Sequence, residues 1–206
     1  MKELPGLERT MVIARRADGS LLLNSAIAMD DAAMREVEAL GVPSILVVPN
    51  GWHRLDAFAY KARYPAVRVL CPRSQAGKVR QIVAVDGARE DLEDDGVVRA
   101  EVFDGFDREG VIVVTSGGKR TLVFGDTLMN VPHQRGLGGL IYRFIGASGG
   151  PKVHPIMKLM SKKKRLAAHL GRLADTPDVV RLIPGHGESI EDRVAEVLRD
   201  CVHRMS

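Results

Sequence analysis

Leu122-Val-Phe-Gly125-Asp126-Thr-Leu128 and, sixty residues further on, Leu182-Ile-Pro184-Gly185-His186-Gly187 are the two stretches whose reading decides the fold. Each is an apolar, strand-like run that stops at a glycine and presents one side chain able to bind a metal or carry a proton, Asp126 or His186. Pro184 and the glycines at 125, 185 and 187 interrupt the strands there, which puts both polar side chains on turns at a sheet edge.

The chain around them has the size and composition of one domain. Its 206 residues are 45% hydrophobic and 27% charged, ordinary for a globular protein, and no linker-like stretch divides residues 1–206. The longest apolar runs, Ile45–Val48, Val111–Val114 and Leu122–Phe124, fall far short of the ~20 residues of a membrane span. No basic stretch followed by an apolar one opens the chain, so a cytoplasmic location is expected. Cys71 and Cys201 are the only cysteines, and neither belongs to a CxxC pair, which argues against a disulfide framework or a zinc–cysteine cluster.

Outward from the two motifs, the pattern is mixed. Thr10–Arg15 and Ser20–Leu23 flank the turn Ala17–Ser20 as a hairpin. Asp30 or Asp31 caps a helix with Ala33, Met34, Val37 and Leu40 at helical spacing, ended by Gly41. Pro43–Val48 is the continuous aliphatic run of a strand buried on both faces. A helix follows within His53–Tyr64, then strands at Ala66–Cys71, Gln81–Val85, Val97–Phe103, Val111–Ser116 and Thr121–Phe124, with Gly117-Gly118-Lys119 as a hairpin turn. Pro132–Pro155 reads as irregular, Met157–Leu173 as a helix, Val179–Ile183 as a strand and Ile190–His203 as a last amphipathic helix. There is no internal repeat, and the fold class is α/β in layers.

In this order the motifs resemble the metallo-β-lactamase superfamily: a buried strand, the turn Pro49-Asn50-Gly-Trp52-His53-Arg54-Leu-Asp56, a β-rich middle, Gly125-Asp-Thr-Leu128, a helix, and Pro184-Gly-His-Gly187. The resemblance covers roughly residues 10 to 200. It implies a four-layer αββα sandwich with one or two metal ions, usually zinc or iron, at the sheet edge, activating a water molecule. Carried over by position, Asp126 and His186 would be metal ligands. The family's HxHxDH loop falls on 49–56, where only His53 is a histidine. Another histidine expected on the strand before Gly125 has no counterpart, since none of the six histidines lies between His53 and His133. This is a reduced form of the pattern, with room for at most one ion held by His53, Asp126 and His186, with Asn50, Asp56 or Asp107 as further candidates.

Each residue also has a plainer role. The plainer roles are a helix cap for His186, an Asx turn for Asp126, a turn residue for Asn50, and either core or substrate platform for Trp52. Arg54 beside Asp56 or Asp126 could substitute for a cation's charge. Asn50, Trp52 and Arg54 are the substrate-binding candidates. Between Asp126 and Asp175 there is no acidic residue but nine basic ones, from Arg135 to Arg172. Against a net charge of +4 this leaves the rest of the chain at −5, so one face is basic. That face suits an anionic small molecule. With the apolar residues of Leu137–Ile145 and Ile156–Met160 it also suits a lid, a homodimer contact or a membrane surface. Aromatic residues are only 4% of the chain and are not interleaved with the cations, which speaks against nucleic acid. No GxSxG, Walker or GxGxxG motif offers another chemistry. Two functions remain open: a mononuclear metal-dependent hydrolase of an anionic small molecule, or a non-catalytic binding or scaffold protein that kept the fold without the metal.

Overall fold

The structure is a computed structural model that describes residues 8–133 and 135–205, with only the backbone at Leu137. The first half builds one sheet. Strands β1 (Val12–Arg15) and β2 (Leu21–Asn24) form the expected hairpin. Helix α1 (Asp31–Leu40) is capped by the Asp30 carboxylate, which accepts from the Ala33 N–H at 2.9 Å. Strand β3 (Pro43–Val47), helix α2 (Ala57–Arg63), strand β4 (Arg68–Cys71), a short helix α3 (Ala76–Val79) and the two-residue β5 (Gly87–Ala88) complete it in the order β1-β2-β3-β4-β5.

The second half supplies β6 (Val98–Phe103), β7 (Phe106–Ser116), β8 (Lys119–Val123), β9 (Leu128–Val131), helix α4 (Gly136–Phe144), β10 (Gly150–Val153), helices α5 (Pro155–Met160) and α6 (Lys163–Ala174), β11 (Val179–Ile183), β12 (His186–Gly187) and helix α7 (Val194–His203). These strands form a four-stranded sheet, β11-β8-β7-β6, and a three-stranded one, β10-β9-β12. Gly117 and Gly118, at φ +57° and +77°, make the two-residue turn between β7 and β8, a conformation that side-chain-bearing residues resist.

The period-2 alternation of the strands sorts their residues into layers. Leu21, Leu23, Leu46 and Val69 pack outward against Met34 and Val37 of α1 and Ala57 and Tyr60 of α2. Their neighbours Leu22, Ile45, Val47 and Leu70 turn inward and meet Ile112, Val123 and Val98 of the second sheet. On that sheet's far side, Val111, Val113, Leu122 and Leu182 pack against Leu166 and Leu170 of α6 and Val194 and Leu198 of α7. The result is the expected αββα sandwich.

Four expectations of local structure are corrected. Gln81–Val85 is not a strand: the N–H of Val83 bonds to the carbonyl of Val79 at 3.1 Å, and these two buried valines, four apart, finish a helical turn. The helix expected over Met157–Leu173 breaks at Ser161, because the N–H of Lys162 bonds to the Gly105 carbonyl at 2.8 Å instead of continuing the helix. The segment 132–155 is not irregular, since it holds α4 and β10. The last helix starts at Val194, four residues late, because Ile190 pairs with Leu182 in a β-bridge.

Candidate metal centre

The site lies where β3, β8 and β11 end along one edge of the sandwich. β8 and β11 run parallel in one sheet, so the turns Gly125–Thr127 and Pro184–Gly187 that follow them are neighbours. Their backbones meet directly. The N–H of Gly185 donates to the Gly125 carbonyl at 3.0 Å, and a Cβ on Gly185 would lie 2.4 Å from that oxygen. A Cβ on Gly187, itself at φ +88°, would lie 2.1 Å from the Asn130 carbonyl oxygen. The glycines of Pro-Gly-His-Gly are therefore required by close approach. Gly185→Ala is expected to cost about 1–3 kcal/mol through overpacking. Gly171→Ala in α6, where nothing lies within 4 Å, should instead stabilise by about 0.5–1 kcal/mol. Urea melts of the two variants check the contrast.

Asp126 is the hub. Its Oδ1 meets His53 Nε2 at 2.8 Å and His186 Nε2 at 3.0 Å, and its Oδ2 accepts from Asn50 Nδ2 at 2.9 Å. The ligand-capable atoms of His53, Asp126 and His186 all lie within 4.8 Å of one another. Burial pushes the Asp126 carboxyl up, but the charges and hydrogen bonds of His53 and His186 outweigh it and hold the group well below the ordinary carboxylate range.

Each imidazole is oriented from behind. His53 Nδ1 lies 2.6 Å from the hydroxyl of Ser25, a buried residue in the left-handed region at φ +62°. That strain, of order 1 kcal/mol, buys a hydroxyl aimed at the ring. His186 Nδ1 lies 3.1 Å from the Glu8 carbonyl, which can only accept. The ring therefore donates from Nδ1 and turns Nε2 towards Asp126, a second acceptor. A ring between two acceptors either carries a proton on both nitrogens or offers its Nε2 lone pair to a cation.

Beneath the hub sits a residue the sequence reading missed. Glu109, on β7, is fully buried, and its two oxygens accept four hydrogen bonds. Oε1 takes the N–H groups of Gly125 and Thr127 at 3.1 and 2.8 Å, and Oε2 takes that of Asp126 and Asn50 Nδ2 at 2.8 and 2.9 Å. Burial first and the Asp126 charge second push this carboxyl up, while the donors of Thr127 and Asn50 pull it down. It stays a carboxylate, since all four of these partners donate and a proton on either oxygen would face an N–H. The guanidinium of Arg89, also buried, lies against Gly110 and adds positive charge behind Glu109.

Asn50 joins the parts. Its Oδ1 accepts from the backbone of Trp52 at 2.8 Å and of His53 at 3.3 Å, while its amide nitrogen bridges Glu109 and Asp126. The opposite orientation would set its oxygen against two carboxylates, so the network fixes the amide.

The remaining candidates divide. Trp52, 46% exposed, lines a pocket of about 180 Å³ with Asp126, Met129, His154, Ile156, Met157 and His186. Arg54 turns away and donates to the Gly51 carbonyl, and among the described residues it pairs with no carboxylate. Asp56 is held by Arg9, and Asp107 is exposed. His154, between β10 and α5, stands on the pocket wall. Its Nδ1 accepts from the Ile156 N–H at 3.2 Å, leaving the proton of the neutral ring on Nε2. Burial, above all, draws its pKa below the ordinary histidine value, against the pull of Asp126. The one signal for it in the sequence is a histidine immediately before a helix-starting proline.

Comparison with known proteins agrees with this architecture. The crystal structure of DIM-1 metallo-beta-lactamase superposes with a TM-score of 0.65 and 11% identity, covering 97% of this chain and 89% of that one. A metallo-beta-lactamase from Pontibacter korlensis gives 0.62 and 11%, covering 95% and 87%, and TMB-1 gives 0.57 and 11%, covering 97% and 98%. No protein-family model matches the sequence, and no curated protein matches it significantly. At such identities the likeness speaks for architecture alone: this chain has the metallo-β-lactamase fold, an αββα sandwich with a His–Asp–His cluster at its edge.

Proposed function

We propose that the chain is a single-domain, mononuclear metal-dependent hydrolase of a reduced branch of this fold, with His53, Asp126 and His186 as the metal's ligands. The observation that carries this reading is the orientation of the two rings. Ser25 and Glu8 engage the outer nitrogens, and both Nε2 atoms converge on one carboxylate oxygen. The donor set of two imidazoles and a carboxylate suits zinc or iron. When bound, such an ion would supply a water molecule acidified towards neutrality.

The protein's own groups account for the rest. Trp52, Met129, Ile156 and Met157 form an apolar wall that limits water; Trp52 borders the place a substrate would take, and Asn50 holds its backbone. His154, neutral and protonated at Nε2, is suited to donate a hydrogen bond to a substrate oxygen. The surplus of cations after Asp126 supports an anionic small-molecule substrate. Arg54, turned to a carbonyl, has no part in this reading.

The second reading is a metal-free binding protein. The observation in its favour is that the three groups already satisfy one another at 2.8 and 3.0 Å. Elemental analysis of untagged protein, purified without nickel resin and then offered zinc or iron(II), separates the two. Close to one ion per chain, with turnover of a phosphoester or thioester, is the expected result. Folded protein that takes up neither ion would establish the binding reading in its place.

A further inference from the structure

Beside the pocket lies a surface that, Ile156 apart, the chemistry above does not use. In α4, Gly139 and Tyr142 turn inward, while Leu140, Ile141 and Phe144 face out, Phe144 at 93% exposure. In α5, Met157 is buried, while Ile156 and Leu159 face out, Leu159 at 81%. The two helices adjoin, since a Cβ on Gly146, just past α4, would lie 2.6 Å from Pro155, the first residue of α5. Large apolar side chains this exposed on neighbouring short helices mark a contact surface.

The charge of this region is one-sided. Lys152 precedes α5, Lys158 lies within it, and the Lys158 ammonium bonds to the Arg204 carbonyl at 2.7 Å, bringing the end of the chain alongside. The ammonium pKa values of Lys152 and Lys158 are drawn below the ordinary lysine value. Partial burial is the first cause, followed by like charges: Arg204 and Lys158 act on Lys152, and Lys163 and Arg204 on Lys158, with Cys201 opposing in the second case. With no acidic residue between Asp126 and Asp175, this stretch carries no anion of its own against its cations. A second copy docked through the same face would set like charge against like.

We propose that α4 and α5 rest on an anionic membrane surface, their exposed apolar side chains entering the headgroup–acyl boundary while Arg143 meets lipid phosphates and the half-buried Lys152 and Lys158, bonded to the Ser148 and Arg204 carbonyls, add positive charge behind it. This combination of apolar face and cationic flank is what an interfacial helix pair requires. Ile156 belongs both to the face and to the pocket wall, so the pocket opens beside the bilayer. The docking rests on surface groups alone and holds whether or not the site carries a metal.

Co-sedimentation of the full chain with phosphatidylglycerol-containing vesicles and with pure phosphatidylcholine vesicles tests it. The expected result is binding to the anionic vesicles only, suppressed by salt. Each of Arg143→Glu and Lys158→Glu should weaken it about fivefold or more, and Phe144→Ser with Leu159→Ser about tenfold. Arg143, Phe144 and Leu159 lie at the surface, so circular dichroism and metal content should stay unchanged in their variants. Failure to bind anionic vesicles, or equal binding to both lipids, would overturn the proposal. So would a dimer in sedimentation equilibrium that Phe144→Ser dissolves, which would give the face to a second copy. Binding by metal-free protein as strong as by metal-loaded protein supports it and leaves the hydrolase reading to its own test.

Discussion

Asp126→Asn is expected to lower zinc affinity at least about 100-fold while the protein stays folded. One oxygen of Asp126 serves both imidazoles and the other serves Asn50. An amide keeps one acceptor and removes the charge, and loss of an outer-shell group alone commonly costs 10–100-fold. The His186 ring also predicts a proton count. Standing between the Glu8 carbonyl and Asp126, it must surrender a proton from Nε2 before that nitrogen can bind a cation, so zinc binding should release protons at neutral pH. Isothermal titration in two buffers of different ionisation enthalpy measures this directly. Unchanged affinity in Asp126→Asn would remove Asp126 from the ligand set.

The other large effect concerns Glu109. Its carboxylate accepts from the N–H groups of Gly125, Asp126 and Thr127, and it shares the amide of Asn50 with Asp126. Glu109→Ala leaves these donors buried without it, and at about 1–3 kcal/mol for each orphaned group the loss should reach 3–5 kcal/mol or more. Glu109→Gln is the sharper test because it preserves shape. One side of the Gln amide would be an NH₂ group facing two donors, so this variant should also lose about 2 kcal/mol or more. Chemical denaturation gives both values. A Gln variant as stable as the parent would mean that Glu109 is protonated and the hub is organised differently.

The layers were legible in the sequence because they depend on alternation and spacing. Pro43–Val48 announces two-sided burial, and the apolar runs before Gly125 and Pro184 announce strand ends. Asp126, His53 and His186 were legible because glycines fix the turns that carry them. Glu109 was not, since it sits in Asp107-Arg108-Glu109, three charged residues that read as a solvated turn, and only the pairing of β7 with β8 brings it under the Gly125–Thr127 turn. His154 was hidden for a similar reason: its position depends on β10 pairing with β9, within a glycine-rich stretch that has no clear periodicity. Ser25 gave no signal because a left-handed backbone at a serine depends on tertiary packing. Helix α4 was missed because its large side chains face solvent, reversing the pattern by which a helix is recognised.

The contact between Glu8 and His186 makes the beginning of the chain part of the site. The Thr10 N–H bonds to the Gly185 carbonyl at 2.9 Å, Arg9 bridges to His186, and Arg9 also clasps Asp56 beside the His53 turn. A few residues of extended chain thus act as a latch over the histidine, fastened by main-chain bonds and by the Arg9 side chain. Affinity tags, linkers or proteolytic trimming just upstream of Glu8 would load that latch, and metal uptake would then vary between preparations of identical sequence beyond it.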